Sequence, residues 1–328
     1  MPQPVETFVL HVDETRAGER LDSFVASNVE ICTRSFAASL IRQGGIVVDG
    51  FRKKPRYAVK AGDTISGTIV QPEEPDFLPE AIPLEILFED DDLIVVNKRP
   101  GMVVHPAPGH SSGTLVNALM YHCPDLKGIS GNLRPGIVHR LDKNTSGALV
   151  AAKNSRAMNG LAEQFKRRTI RKHYLALVYG VPPNRSGTID LSIGRHPTDR
   201  KKMSVTSRTP RQALTHWSVL EVFSGTCLLE LDIRTGRTHQ IRVHCLSMGH
   251  PVIGDPVYAN RSGLKQLALV SKKMGYLAKS VHRQMLHARC LRFVHPIHGR
   301  WIEITAPVHE DMSELISAFR NVSVLSRS

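Results

Sequence analysis

Three short segments of this 328-residue chain concentrate residues able to do chemistry. In Gly136-Ile137-Val138-His139-Arg140-Leu141-Asp142-Lys143-Asn144-Thr145-Ser146-Gly147, one carboxylate, Asp142, stands between two cations. A carboxylate is a nucleophile toward a sugar or a base and needs no metal for that. Its blander role is to pair with Arg140 or Lys143, or to cap the next turn, and residue chemistry alone favours that role. In the stretch 165–174, Lys166, Arg167, Arg168, Arg171 and Lys172 lead into Tyr174. Cations hold phosphates without reading sequence, and a tyrosine beside them can stack on an unpaired base. The alternative is a solvated helix end followed by a core tyrosine, and for Tyr174 alone the core is favoured. The third segment, Thr235-Gly236-Arg237-Thr238-His239-Gln240-Ile241-Arg242-Val243-His244, is rich in donors. A buried arginine there needs an anion, and Asp142 is the natural candidate.

Other chemistries lack their residues. No GxxxxGK[ST] and no helix-opening GxGxxG is present, so no nucleotide cofactor is expected. No HExxH or CxxC occurs among the 16 histidines and five cysteines. His239 with His244, or His295 with His298, read as core or RNA-contacting histidines rather than metal ligands. The scattered cysteines exclude a disulfide framework and fit a reducing, cytoplasmic setting. The N-terminus lacks the basic flank and apolar run of a signal peptide, and no apolar run is long enough to span a bilayer.

The net charge of +13 calls for a polyanionic partner, nucleic acid or an anionic membrane surface. It is unevenly spread. Residues 71–92 hold nine acids, four prolines and no Lys or Arg, so the rest of the chain carries +22. Proline removes donors and restrains the backbone, which excludes a helix or a central strand here. This acidic stretch is therefore expected to be a linker between a small module, 1–70, and a larger one, 93–328.

The elements that must position these residues follow from spacing. Leu21, Phe24 and Val25 mark one helix; Phe36, Leu40 and Ile41 mark a second, capped by Thr33 and ended by Gly44-Gly45. The segment 46–48 is a short strand, and Asp49-Gly50 a hairpin turn. Arg52, Lys53, Lys54 and Arg56 after the turn, with Arg34 and Arg42 on the second helix, would form one RNA-binding face. In the larger module, residues 93–98, Val138, 149–152, 174–178 and 228–233 read as strands, and 155–165 as a helix. The alternation is not regular βαβ, so an α+β fold with a mostly antiparallel sheet is expected.

The N-terminal module resembles the small S4-type RNA-binding domain over about residues 18–66, through Arg20-Leu21-Asp22, Thr33-Arg34-Ser35, Leu40-Ile41, Gly45 to Gly50 and Val59 to Asp63. The larger module resembles the RluA/RluD-type pseudouridine synthases. His139-Arg140-Leu141-Asp142 with Thr145-Ser146-Gly147 is similar to their catalytic-loop motif. Lys172, Tyr174, Ala176, Val178 and Gly180 are similar to K-x-Y-x-A-x-V-x-G, and Thr235 to His244 with His250-Pro251, Gly254-Asp255 and Tyr258 to the third motif. Asn97-Lys98, Pro100-Gly101 and His105-Pro106 resemble the domain entry, and Leu286-His287-Ala288 with His295-Pro296 the C-terminal strand region.

The resemblance implies a pseudouridine synthase fold with a mixed, mostly antiparallel sheet. It implies isomerisation of uridine in large-subunit ribosomal RNA, free or in an assembly intermediate, with the target base flipped out. Asp142 would be the nucleophile, acting at C1′, at C6, or in an elimination to a glycal. Arg242 would pair with it and keep it ionised where loss of water favours the neutral acid. Tyr174 would stack on the base and assist removal of the C5 proton, and Arg140 would fill the vacated place in the RNA stack. Arg167, Arg168, Arg171, Lys172, Arg237 and His239 would contact RNA. No metal or cofactor, no membrane and a monomer are expected. A non-catalytic RNA-binding or ribosome-assembly protein is the competing expectation, and a membrane-surface protein a distant third. The insert 260–283 and the tail after 311 match no part of the pattern.

Overall fold

The computed structural model describes residues 5–29, 32, 34–70, 78–106, 112–126, 136–199, 201–259 and 261–325. The chain divides into two compact units, Met1–Asp76 and Phe77–Ser328.

The first unit contains β1 (Val5–His11), α1 (Leu21–Asn28), α2 (Arg34–Gln43), β2 (Ile46–Val48) and β3 (Thr64–Val70). Its antiparallel sheet has the order β1-β3-β2. The opening strand was not foreseen, although its alternation is plain: Phe8 and Leu10 turn to the core and Val9 is exposed. Leu21, Phe24 and Val25 bury one face of α1 against Ile41, Ile46 and Ile65. Burying side chains of this size contributes about 1.5–3 kcal/mol each. Asp49 and Gly50 both adopt positive φ, 50° and 79°, as a two-residue hairpin turn requires. Thr33, the expected cap of α2, lies outside the described residues.

The second unit runs β4 (Ile86–Glu89), β5 (Leu93–Lys98), α3 (Leu115–His122), β6 (Ser146–Ala152), α4 (Ser155–Arg167), β7 (Arg171–Tyr179), β8 (Ser186–Asp190), β9 (Gly194–Arg195), β10 (Met203–Ser204), β11 (Leu214–Phe223), β12 (Thr226–Ile233), α5 (Gln240–Ser247), α6 (Arg261–Val270), α7 (Lys272–Lys279), β13 (Leu286–Val294), β14 (Trp301–Thr305) and α8 (Glu310–Leu325). Nine strands form one sheet in the order β4-β5-β6-β13-β7-β12-β11-β8, with β14 also paired to β13. Among the described residues only β6 and β13 run parallel, so the sheet is mixed and mostly antiparallel. β7 shows how the period of two divides the sheet. Tyr174, Ala176 and Val178 face a core shared with α3 and α5, whereas Leu175, Leu177 and Tyr179 face one shared with α6, α7 and α8.

Two expectations are corrected. The stretch 71–92 is not a linker along its whole length. Leu78 accepts from Asn117 Nδ2, the Glu80 carboxylate accepts from the Gly113 N–H, and β4 pairs with β5 at the sheet edge. An edge strand tolerates the prolines around it because its outer donors need no partner. Val138 lies outside any strand; Ile137 makes a single bridge to Ala151. The insert and the tail, which matched no pattern, form α6, α7 and α8 and supply one core of the unit.

Candidate active site

Asp142 lies in the loop that enters β6, and several bonds hold that loop. The Asp142 carbonyl accepts from Thr145 N–H at 3.0 Å. Gln284 Nε2 donates to Thr145 Oγ1, and Ser146 Oγ bonds His287 Nδ1 at 3.0 Å. His287 Nε2 faces the Ala306 carbonyl, so its proton sits there and Nδ1 accepts from the serine. Burial pushes His287 down to about 4, which keeps the ring neutral in this role. Gly147 follows, where β6 meets β13. Its φ is 115°, and a Cβ would collide with the Ala288 backbone, so glycine is required there. From below, Lys98 donates to the carbonyls of Arg99, Met102 and Lys143 at 2.9–3.2 Å. Lys98 is 1% exposed. Burial pushes its ammonium down to about 7 while the Asp142 charge opposes that, and three carbonyls take its three donors.

Arg242 projects from α5 with its side chain almost wholly buried. Its Nη1 donates to Asp142 Oδ2 at 3.0 Å, while Nε and Nη2 grip Asp255 at 2.6 and 2.8 Å. Burial works against the charged guanidinium, and the two carboxylates outweigh it, holding its pKa above the ordinary value. Asp142 thus pairs with Arg242, and neither Arg140 nor Lys143 is its ion-pair partner. The stretch 240–247 is helical, and Gln240 ties its start to the preceding turn. Its Oε1 accepts from Thr235 Oγ1 and Arg237 N–H, and its Nε2 donates to the Leu214 carbonyl.

His239 caps this helix at φ 58°, a left-handed conformation rare for a non-glycine residue. Tyr258 Oη accepts from Met203 N–H and lies 2.8 Å from His239 Nδ1. His239 Nε2 lies 3.9 Å from Asp142 Oδ2. Burial lowers the His239 pKa, with Asp142 and Asp255 opposing and Arg242 and Arg140 adding to the shift. The lowered pKa favours the neutral ring beside the carboxylate.

Tyr174 and Leu286 wall the same pocket as Asp142, Arg140, His239 and Arg242. Tyr174 is also a core residue, 7% exposed, as its residue type alone favoured. Burial and the Asp142 charge hold its hydroxyl well above the usual phenol range. An adjoining cavity of about 460 Å³ is lined by Arg140, Lys166, Arg168, Lys172, Arg234 and Arg237, with no acid in its lining.

The structure therefore gathers Arg140, Arg168, Lys172 and Arg237 beside Tyr174, but not the whole basic run. Arg167 pairs with Glu163 on the exposed side of α4, and Arg171 approaches Asp232. Lys172 is buried, with Nζ toward the Thr235 carbonyl, and is pushed down to about 8 by burial. In the first unit, Arg42 and Lys54 are exposed, Lys53 lies over the Tyr57 ring and Arg34 is 3.5 Å from Asp22. The Arg52 guanidinium packs over Gly44 at the end of α2, which brings the hairpin to the helix that carries Arg42.

Metal-ligand geometry is poor where histidines meet acids. Asp92, His295 and His298 come together, but His295 Nδ1 accepts from the Ile297 and His298 N–H groups. Its Nε2 must then carry the proton given to Asp90, leaving no lone pair for an ion. In the group Glu89, His122 and Cys123, Lys153 Nζ already occupies Glu89 at 2.9 Å. His244 has Thr215 on one nitrogen and the Leu191 carbonyl on the other.

Sequence reasoning assigned no role to Asp255, Lys98, Gln240, Gln284 or Tyr258. Lys98 left a trace, as a cation ending the apolar run Leu93 to Val96. Asp255 left another, as an acid directly after Gly254, whose φ is 73° and where a Cβ would strike the Arg283 carbonyl.

Comparison with known proteins matches these two units to two families. Residues 92–247 match the model for RNA pseudouridylate synthases, and residues 19–65 match the S4 domain. An uncharacterised RNA pseudouridine synthase of Bacillus subtilis (strain 168) is 45% identical over 307 residues, 94% of this chain and 96% of the relative. A Xanthomonas campestris pv. campestris protein named ribosomal large subunit pseudouridine synthase D is 40% identical over 315 residues, 95% and 92% of the two chains. The solved structure of human RNA pseudouridylate synthase domain containing 1 aligns with a TM-score of 0.53 at 30% identity, covering 74% of this chain and 96% of its own. With Asp142, Arg242 and Tyr174 in one pocket of the matched unit, the chain belongs to the RNA pseudouridine synthase family.

Proposed function

We propose that this protein isomerises a uridine of large-subunit ribosomal RNA to pseudouridine, with Asp142 as the nucleophile and the target base flipped into the pocket beside Tyr174. The bond from N1 to C1′ breaks and one from C5 to C1′ forms; C5 loses a proton and N1 gains one, with no change in oxidation state. The observation that carries the reading is the 3.0 Å pair between Asp142 Oδ2 and Arg242 Nη1 in that pocket. A carboxylate with a single cationic contact keeps lone pairs for attack. The raised hydroxyl pKa of Tyr174 favours stacking over proton removal, because the phenol enters the reaction protonated. Phosphates flanking the flipped nucleotide would sit in the cation-lined cavity, and Arg140, which lines both spaces, would enter the gap in the stack. The basic hairpin and α2 would dock RNA from the first unit. We further propose that the enzyme works as a cytoplasmic monomer without a cofactor.

The test is to map pseudouridines in large-subunit ribosomal RNA from cells with and without the gene, and from cells carrying Asp142→Asn. The expected result is a site modified only by the intact protein, with the variant folded, RNA-bound and inactive. Retained modification by Asp142→Asn overturns the nucleophile assignment. An unchanged ribosomal RNA pattern overturns the substrate.

A further inference from the structure

Residues 261–283 contain Arg261, Lys265, Lys272, Lys273, Lys279 and Arg283 and no Asp or Glu. The segment folds as α6 and α7, anchored from one side. Met274 is fully buried and Ala278 nearly so, in the core that α7 shares with α8. A Cβ at Gly275 would strike Ala268 of α6, so the two helices approach closely. Ser271 caps α7 through the Met274 N–H.

The opposite face is unlike an ordinary solvated surface. Counting from Tyr276, Lys272 and Lys273 lie four and three residues before it, and Lys279 three after, so all four share one stripe of the helix. The lysines are exposed, and Tyr276 is 75% exposed. Leu269 and Val270 at the end of α6 are exposed as well. Among the described residues, no carboxylate lies at ion-pair distance from Lys265, Lys272, Lys273 or Lys279. Like charges on one helix face repel, and a large aromatic left in water forgoes the burial it favours. A polyanion bearing flat apolar groups relieves both at once, and RNA has that chemistry.

The position is also apt. The residues that follow α7, Ser280 to Arg283, line a cavity of about 620 Å³ together with Pro100, Gly101 and Asn144, and Arg283 there pairs with Asp311, which with Glu314 also lines it. Arg283 Nη1 donates to the Asn144 carbonyl, two residues beyond Asp142. The segment that follows α7 is thereby tied to the catalytic loop.

We propose that the outer face of α7, formed by Lys272, Lys273, Tyr276 and Lys279, is an RNA-docking surface that grips the substrate beside the target uridine. This rests on the RNA-modifying reading above and adds a determinant outside the catalytic pocket. The lysines hold phosphates and the tyrosine stacks on an unpaired base.

The test uses the full-length protein and a ribosomal RNA fragment that the wild type modifies. The triple variant Lys272→Gln, Lys273→Gln, Lys279→Gln and the single variant Tyr276→Ala are compared with wild type in RNA affinity across a salt series and in turnover at saturating RNA. Thermal unfolding confirms that these exposed changes leave the fold intact. The expected result for the triple variant is an affinity loss of about 10- to 100-fold and a slope of log K against log salt reduced by about 2–3. Tyr276→Ala should weaken binding about tenfold with the slope unchanged. Saturated turnover should stay at the wild-type level in both. Wild-type affinity and slope in both variants overturn the proposal. So does a loss confined to anionic vesicles or to an acidic protein while RNA binding holds. If the wild type itself forms no pseudouridine in the fragment or in ribosomal RNA, it is the underlying reading that fails.

Discussion

Asp255 holds Arg242 by two bonds, 2.6 Å to Nε and 2.8 Å to Nη2, which leaves Nη1 of the same guanidinium for Asp142. One carboxylate fixes the arginine so that the other is gripped at a single point. Asp255 itself is tied into the turn by accepting from the Val257 and Tyr258 N–H groups. The orientation of the candidate nucleophile therefore derives from a backbone turn, through an acid whose side chain is fully buried.

Asp255→Asn should show this dependence. The amide loses one acceptor and the charge, so Arg242 is free to swing toward Asp142. Turnover is expected to fall about 10- to 100-fold, as for a misplacement of about 1 Å at a reacting group, with RNA affinity changed less than threefold. The measurement is single-turnover rate against RNA concentration. A rate equal to wild type would show that Asp142 is oriented by something else.

His239 should act in the chemical step rather than in holding RNA. Its Nε2 lies 3.9 Å from Asp142 Oδ2, and Tyr258 Oη holds the ring through Nδ1. His239→Ala is expected to lower kcat by about tenfold or more with little change in KM, and Tyr258→Phe by less. A rise in KM alone would assign His239 to phosphate contact.

Gly147→Ala should destabilise the catalytic unit without touching a catalytic group. The methyl would meet the Ala288 backbone at a residue already at positive φ. A loss of about 3 kcal/mol is expected in denaturant unfolding, with an altered position of the Asp142 loop visible as reduced turnover in the surviving folded protein.

Acid should release the C-terminal helix early. Asp311, at the start of α8, is held down to about 2, because its bonds from Arg283 and His309 outweigh the effect of burial. The unfolded carboxyl has the ordinary value of 3.8. Between those values the unfolded chain binds more protons, so stability falls as pH drops through this window. The contribution is complete above about pH 5 and gone near pH 1. Wild type and Asp311→Asn should differ in unfolding midpoint at pH 5 and converge near pH 1.

What the sequence determined by itself was local or periodic. The alternation Lys172, Tyr174, Ala176, Val178 put those side chains on one face of β7, and the structure brings Tyr174 of that face into the pocket and packs Ala176 and Val178 into the core. The helices of the first unit, the Asp49-Gly50 turn and the strand 93–98 were legible because each depends on residues a few positions apart. The charge was legible too, with one carboxylate isolated among cations. The partners across space waited for the tertiary structure. Asp142 and Arg242 are 100 residues apart, and no spacing rule says that they meet. The two-point hold of Asp255, the three carbonyls on Lys98 and the single parallel pairing of β6 with β13 depend on strand order, which local preference leaves open. So does the division of the basic run. Arg167 and Arg171 read like Arg168 and Lys172 in sequence, and only the place where α4 ends and β7 begins turns two of them to acids and two to the cavity.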